Sequence, residues 1–82
     1  MMEVTVHFYS YFRDLTGCAE LRLAATEGQT VGELLDALSR EYPKLAAMRK
    51  SMLIAVGVEY QTRDYRLQEG DEISLFPPVQ GG

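Results

Sequence analysis

Few residues of this 82-residue chain carry reactive chemistry, and they do not assemble into a catalytic set. His7 is the sole histidine, so it supports neither a histidine-based metal site nor a His-paired nucleophile, and the alternation around it turns it to the surface. Cys18 is the sole cysteine; it follows Gly17 in a loop and reads as an ordinary small residue. Glu69, Asp71 and Glu72 crowd a turn into a strand, where solvated charge is the default explanation, and Arg13 and Asp14 read as a solvated loop pair at least as readily as a contact for a partner. No GxxxxGK[ST] segment exists to cradle a nucleotide phosphate. One group is left, the main-chain carboxylate after Gly81-Gly82. Pro77-Pro78 lacks main-chain donors and fixes φ, so it ends any strand reaching Phe76 and holds Val79 and Gln80 away from a sheet. Val79 to Gly82 then spans about 13 Å when extended, enough to enter a neighbouring protein's cleft. Two residues without Cβ pass a narrow channel and leave the last carbonyl open to a large reagent. A frayed end is the plain alternative. An ionised carboxylate is a poor electrophile, so activation must come from outside: an ATP-using partner converts it to an acyl-adenylate, from which a sulfur or nitrogen nucleophile displaces AMP.

Composition limits the rest. A chain of this size, 46% hydrophobic, makes one small domain and has no room for a second. A net charge of −4, with Lys44 and Lys50 the only lysines among eight scattered cations, argues against nucleic acid and suits a partner with a basic face. A single cysteine excludes an internal disulfide and fits a reducing compartment. Glu3, His7, Arg13 and Asp14 interrupt any secretory apolar core, and no stretch approaches a membrane span. The expected location is cytoplasmic.

The elements that must position the tail are legible. Val4, Val6 and Phe8 alternate with Glu3, Thr5, His7 and Tyr9, a strand with one core face. Glu20 to Ala25 continues the pattern with Leu21 and Leu23, and the segment through Gly17 reads as a loop closing a hairpin. Thr30 and Glu33 form a capping box, and Val31, Leu34, Leu35, Leu38 and Tyr42 fall on one stripe of a helix that Pro43 ends. Lys44 to Ser51 is either a connection or a short helix. Met52 to Val56 reads as a strand, Gly57 as a turn, Val58 to Tyr60 as a short edge strand, and Glu72 to Phe76 as the last strand after the turn Glu69-Gly70-Asp71.

One helix covers one face of such a sheet, which predicts an α+β fold. The other face is left for solvent or a partner. If Val4, Val6, Phe8, Ile73 and Leu75 face the helix, Tyr9 and Phe76 point outward, and adjacent first and last strands bring them together beside the start of the tail. Leu53 and Ala55 join that face if Met52, Ile54 and Val56 take the core side. An exposed apolar patch of this kind marks an interface.

Several blocks together resemble a known family: Phe12-Arg13-Asp14-Leu15-Thr16-Gly17, Thr30-Val31-Gly32-Glu33-Leu34, Ile54-Ala55-Val56, and Asp64 to Ile73 running into Phe76-Pro77-Pro78-Val79-Gln80-Gly81-Gly82. The chain resembles the MoaD-type ubiquitin-like sulfur carriers, the small subunits of molybdopterin synthase. The resemblance implies a β-grasp domain over residues 1–78, with a mixed sheet and one main helix, and a flexible tail over 79–82. It implies that Gly82 is adenylated, then thiocarboxylated, and gives its sulfur to cyclic pyranopterin monophosphate in molybdenum cofactor synthesis. Gly81, Gln80 and Val79 would serve tail passage, and Phe76, Tyr9, Pro77, Pro78 and Leu53 the partner interface. No cofactor or metal is expected on the chain itself, ATP being used by the activating enzyme. The implied partners are the large synthase subunit, in a heterotetramer, and an adenylating enzyme of the ubiquitin-activating kind; no nucleic acid or membrane is expected, and no activity alone. Carriers for thiamine or cysteine synthesis, and protein modifiers conjugated through the last glycine, share the Gly-Gly end and stay open. Gly57 departs from the Asn of many relatives, and both residues tolerate positive φ.

Overall fold

Residues 2–78 are described in the computed structural model. The tail expectations on Val79, Gln80, Gly81 and Gly82 lie outside the described residues. Strand β1 (Met2–Phe8) leads through helix α1 (Phe12–Thr16) to β2 (Glu20–Ala25), helix α2 (Val31–Glu41), helix α3 (Pro43–Ala46), β3 (Leu53–Val56), β4 (Glu59–Tyr60) and β5 (Glu72–Phe76). The sheet runs β2-β1-β5-β3-β4, with β1 and β5 parallel at its centre and the other neighbours antiparallel. This is the expected α+β, β-grasp arrangement: a mixed sheet wrapped on one main helix.

The period-two residues of the sheet and the helical stripe meet in one core. Val4, Val6, Phe8, Ile54, Ile73 and Leu75 from the sheet pack against Val31, Leu34, Leu35 and Leu38 of α2. The start of α2 leaves no main-chain donor unsatisfied. Val31 and Gly32 N–H donate to the carbonyls of Tyr65 and Arg63 at 2.9 Å each, Glu33 N–H to Thr30 Oγ1 at 3.2 Å, and Leu34 N–H to Thr30 O at 3.0 Å. The Glu33 carboxylate closes the box by accepting from Thr30 N–H at 2.9 Å. Gly32 permits this lacing, because a Cβ there would stand 3.3 Å from Arg63 O. The segment after β4 is thereby bound to the helix although it forms no regular element.

One expectation is corrected. The connection between β1 and β2 is not a plain loop; it holds the five-residue helix α1, whose Phe12 is fully buried and whose end is turned by Gly17 at φ 78°. A single buried side chain gives no helical period to read. Lys44 to Ser51, left open between connection and helix, starts in α3 with Pro43 at its first turn and Leu45 buried.

Candidate functional site

The sheet face opposite α2 is divided. Its β1–β2 half carries Glu3, Thr5, His7, Glu20 and Arg22, whereas its β5–β3–β4 half carries Phe76, Ser74, Leu53, Ala55 and Tyr60. Tyr9 lies between the halves at the end of β1. Its N–H donates to Leu75 O at 3.2 Å, which extends the β1–β5 pairing by one residue and carries the ring to the end of β5. There the rings of Tyr9 and Phe76 stack, with centroids 4.7 Å apart and planes 13° from parallel.

The stack stands at the base of the tail. Phe76 is the last residue of β5, and the half-buried Pro77 and Pro78 follow it directly. Leu53 sits opposite Phe76 in the β3–β5 register, so it shares the outer face by alternation. The structure therefore brings Tyr9, Phe76 and Leu53 together beside Pro77-Pro78.

Next to the stack is an open depression of about 300 Å³, lined by Tyr9, Phe76, Ser74, Ala55, Gly57, Val58 and Tyr60. Ser74, Ala55 and Tyr60 lie in one register row across β5, β3 and β4; the two small side chains make the floor and Tyr60, 73% exposed, a wall. Val58 is fully exposed at the hairpin turn, where Gly57 takes φ 63°. Such apolar exposure on a small domain is what a partner surface requires. The sequence reading placed Ala55 on this face and Tyr60 on an edge strand, but did not assign Ser74, Val58 or Tyr60 to the site. The two-residue turn Gly57-Val58 after the apolar run Met52 to Val56 was the available signal, since it fixes Ala55 opposite Tyr60.

The polar half has its own order. His7 Nε2 lies 2.8 Å from Glu72 Oε1, and Nδ1 lies 3.7 Å from Glu20 Oε1. His7 does face outward, but it is a half-buried bridge between two strands and not a freely solvated side chain. Asp71 is also more than solvated charge: its carboxylate accepts from Gln68 N–H at 2.8 Å and from the Tyr65 hydroxyl at 3.0 Å, which pins the turn into β5. Burial, and then donation to Asp71, push the Tyr65 phenol above its ordinary pKa. Arg13 and Asp14 do not pair; the ion pairs among the described residues are His7 with Glu20 and Glu72, and Arg49 with Asp36 at 2.8 Å. Among the described residues no group of three metal-ligating side chains converges, and no helix is long and apolar enough to cross a membrane.

Comparison with known proteins places this geometry. The model of the ThiS family matches residues 6–82. A molybdopterin synthase sulfur carrier subunit from Arabidopsis thaliana is 33% identical over 81 residues, covering 99% of this chain and 84% of the relative. Among solved structures, a putative molybdopterin converting factor, subunit 1, from Pyrococcus furiosus superposes with a TM-score of 0.87 at 28% identity, covering 96% of this chain and all of that one. A chain in the complex of subunits 1 and 2 of the molybdopterin-converting factor from Helicobacter pylori matches with a TM-score of 0.69 at 28% identity, over 99% of this chain and all of that one. The resemblance drawn from the sequence blocks is borne out in family and in fold.

Proposed function

This chain belongs to the ThiS family, and from that premise we propose that it is the sulfur carrier subunit of a molybdopterin synthase, working through the carboxylate of Gly82. The observation that carries the reading is the Tyr9–Phe76 stack and its depression at the foot of Pro77-Pro78. A carrier needs a surface that docks one partner at a time and a thin arm that reaches the partner's site; here the two are contiguous in the chain. The name of the Arabidopsis relative and the subunit complex from Helicobacter pylori support the same role and a large-subunit partner.

In this mechanism the carrier supplies presentation and partners supply catalysis. An adenylating enzyme binds the apolar half of the sheet and joins the Gly82 carboxylate to the α-phosphate of ATP, releasing pyrophosphate. The acyl-adenylate is an activated electrophile; sulfide-level sulfur from a donor attacks its acyl carbon, the bond to the AMP oxygen breaks, and AMP leaves to give a thiocarboxylate. The loaded chain then exchanges the activating enzyme for the large synthase subunit. Tyr9, Phe76 and Leu53 dock there with Pro77 and Pro78, and Val79, Gln80 and Gly81 lead the thiocarboxylate to cyclic pyranopterin monophosphate. Two carriers per product account for the two sulfurs of the dithiolene, as a heterotetramer provides. Neither ATP nor any other cofactor needs a site on this chain.

Intact-mass spectrometry after incubation with an adenylating enzyme, ATP and a sulfur donor tests the reading. Replacement of one oxygen by sulfur at Gly82 is the expected result. An unchanged mass overturns the carrier role, and attachment of Gly82 to lysine side chains replaces it with conjugation.

A further inference from the structure

The far side of the molecule carries a feature that this role leaves unused. β2 is the edge strand remote from the aromatic half of the sheet. Phe8 N–H donates to Ala19 O at 2.8 Å, which sets the alternation along the β1–β2 pair. Leu21, Leu23 and Ala25 accordingly turn their main-chain groups to β1, while Glu20, Arg22 and Ala24 turn theirs to the open edge. Below this edge α2 stops short of covering the strand. The result is an open groove of about 340 Å³ lined by Leu21, Leu23, Ala37, Leu38 and Tyr42, with Glu41 at its rim. An uncovered edge above an apolar groove invites another strand.

The charges on the strand select the occupant. Glu20 and Arg22 point to the outer face two residues apart, and Arg22 makes no ion pair among the described residues. We propose that β2 pairs antiparallel with β2 of a second copy of this chain, Glu20 of each copy standing opposite Arg22 of the other about a two-fold axis at Leu21. In this register both opposed residues are of the edge-facing set, so each Glu20–Arg22 pair exchanges its main-chain hydrogen bonds. The same pairs set opposite charges across the junction, whereas a register shifted by two residues would set Arg22 against Arg22. On the inner face the two Leu21 side chains meet at the axis, and the two grooves join into one apolar strip. The contact is isologous and closes at two copies. It joins two sheets at the edge farthest from β5, β3 and β4, leaving both Tyr9–Phe76 faces free for partners.

Sedimentation of the intact chain over a concentration series from micromolar to millimolar is the test. A monomer–dimer equilibrium is expected; Arg22→Glu weakens it about ten-fold or more, and the exchanged pair Glu20→Arg with Arg22→Glu returns it to within a few-fold of the parent. Both positions lie on the outer face, and circular dichroism verifies that each variant is folded. A chain that stays monomeric throughout, a dimer indifferent to Arg22→Glu, or a folded double variant that does not recover overturns the proposal. Amide exchange gives a second readout without substitution: the N–H groups of Glu20 and Arg22 slow as concentration rises. Slowing at Tyr60 and Phe76 instead, or slowing at the β2 edge only when the large synthase subunit is added, also overturns it.

Discussion

At Phe76 the proposed docking role and the side chain's part in the fold separate by size. The ring stacks on Tyr9, an interaction worth about 0.5–1.5 kcal/mol beyond its burial, but it remains half-buried and outside the core. Phe76→Ala is therefore expected to leave the chain folded, lowering stability by roughly 1–2 kcal/mol in urea titration. For a central aromatic anchor the loss of partner affinity is larger, about 2 kcal/mol or thirty-fold, read by calorimetry against the large subunit. A variant that binds unchanged would remove the stack from the docking surface. Tyr65 shows a second residue-scale effect. Burial, and then its hydrogen bond to Asp71, disfavour the phenolate, and burial raises Tyr42 in the same direction. Both groups bind their protons more tightly in the folded chain, so their contribution is complete below the ordinary value of 10.0 and is lost as pH rises beyond it. Tyr65→Phe is expected to cost about 1 kcal/mol at neutral pH through the lost hydrogen bond and to shallow the alkaline decline. Urea midpoints measured across that pH range check both effects, and an equally steep decline in the variant would assign it elsewhere.

At the scale of elements, what was legible in the sequence tracks how much local signal each element carries. The strands with alternation, Met2–Phe8 and Glu72–Phe76, and the capped stripe of α2 declare themselves because period and cap chemistry agree. From those phases alone Tyr9 and Phe76 fall on one face, and their contact needed only the adjacency of β1 and β5. Helix α1 escaped because five residues with one buried side chain express no period, although Gly17 marked its end. The floor and wall of the depression escaped for a different reason: Ser74, Ala55 and Tyr60 meet through register, which emerges from tertiary pairing across three strands. The helix cap is where element stability is most directly tested. Thr30→Ala deletes the hydroxyl that accepts from Glu33 N–H and leaves one helix-end donor without its cap, for an expected loss of about 1 kcal/mol in thermal or urea unfolding. Thr30→Ser keeps the acceptor and is expected to retain most of it. Equal losses in the two variants would show that packing of the Thr30 methyl, and not the cap, holds the turn.

Across the whole molecule, the central strands come from opposite ends of the chain, so the parallel β1–β5 pairing fixes the N-terminal strand beside the strand that ends at the tail. The outer face inherits a division from this topology: a charged part on β1, β2 and the start of β5, where His7, Glu20 and Glu72 meet, and an apolar part on β3, β4 and the end of β5. The two halves predict different kinetics. A chain of net charge −4 approaching a basic partner is accelerated by long-range attraction, which salt screens over about 10 Å at 0.1 M. Contacts of the desolvated aromatic rings act only after encounter and are little affected by salt. Raising ionic strength from about 0.02 to 0.5 M is thus expected to lower the association rate with the large subunit by roughly ten-fold while the dissociation rate stays within about two-fold. Phe76→Ala is expected to do the reverse, raising dissociation and sparing association. Stopped-flow measurement of both rates for both proteins separates the halves of the face. If salt instead speeds dissociation and leaves association alone, then the acidic side chains are buried within the contact, and the partner must carry its cations opposite Glu20 and Glu72.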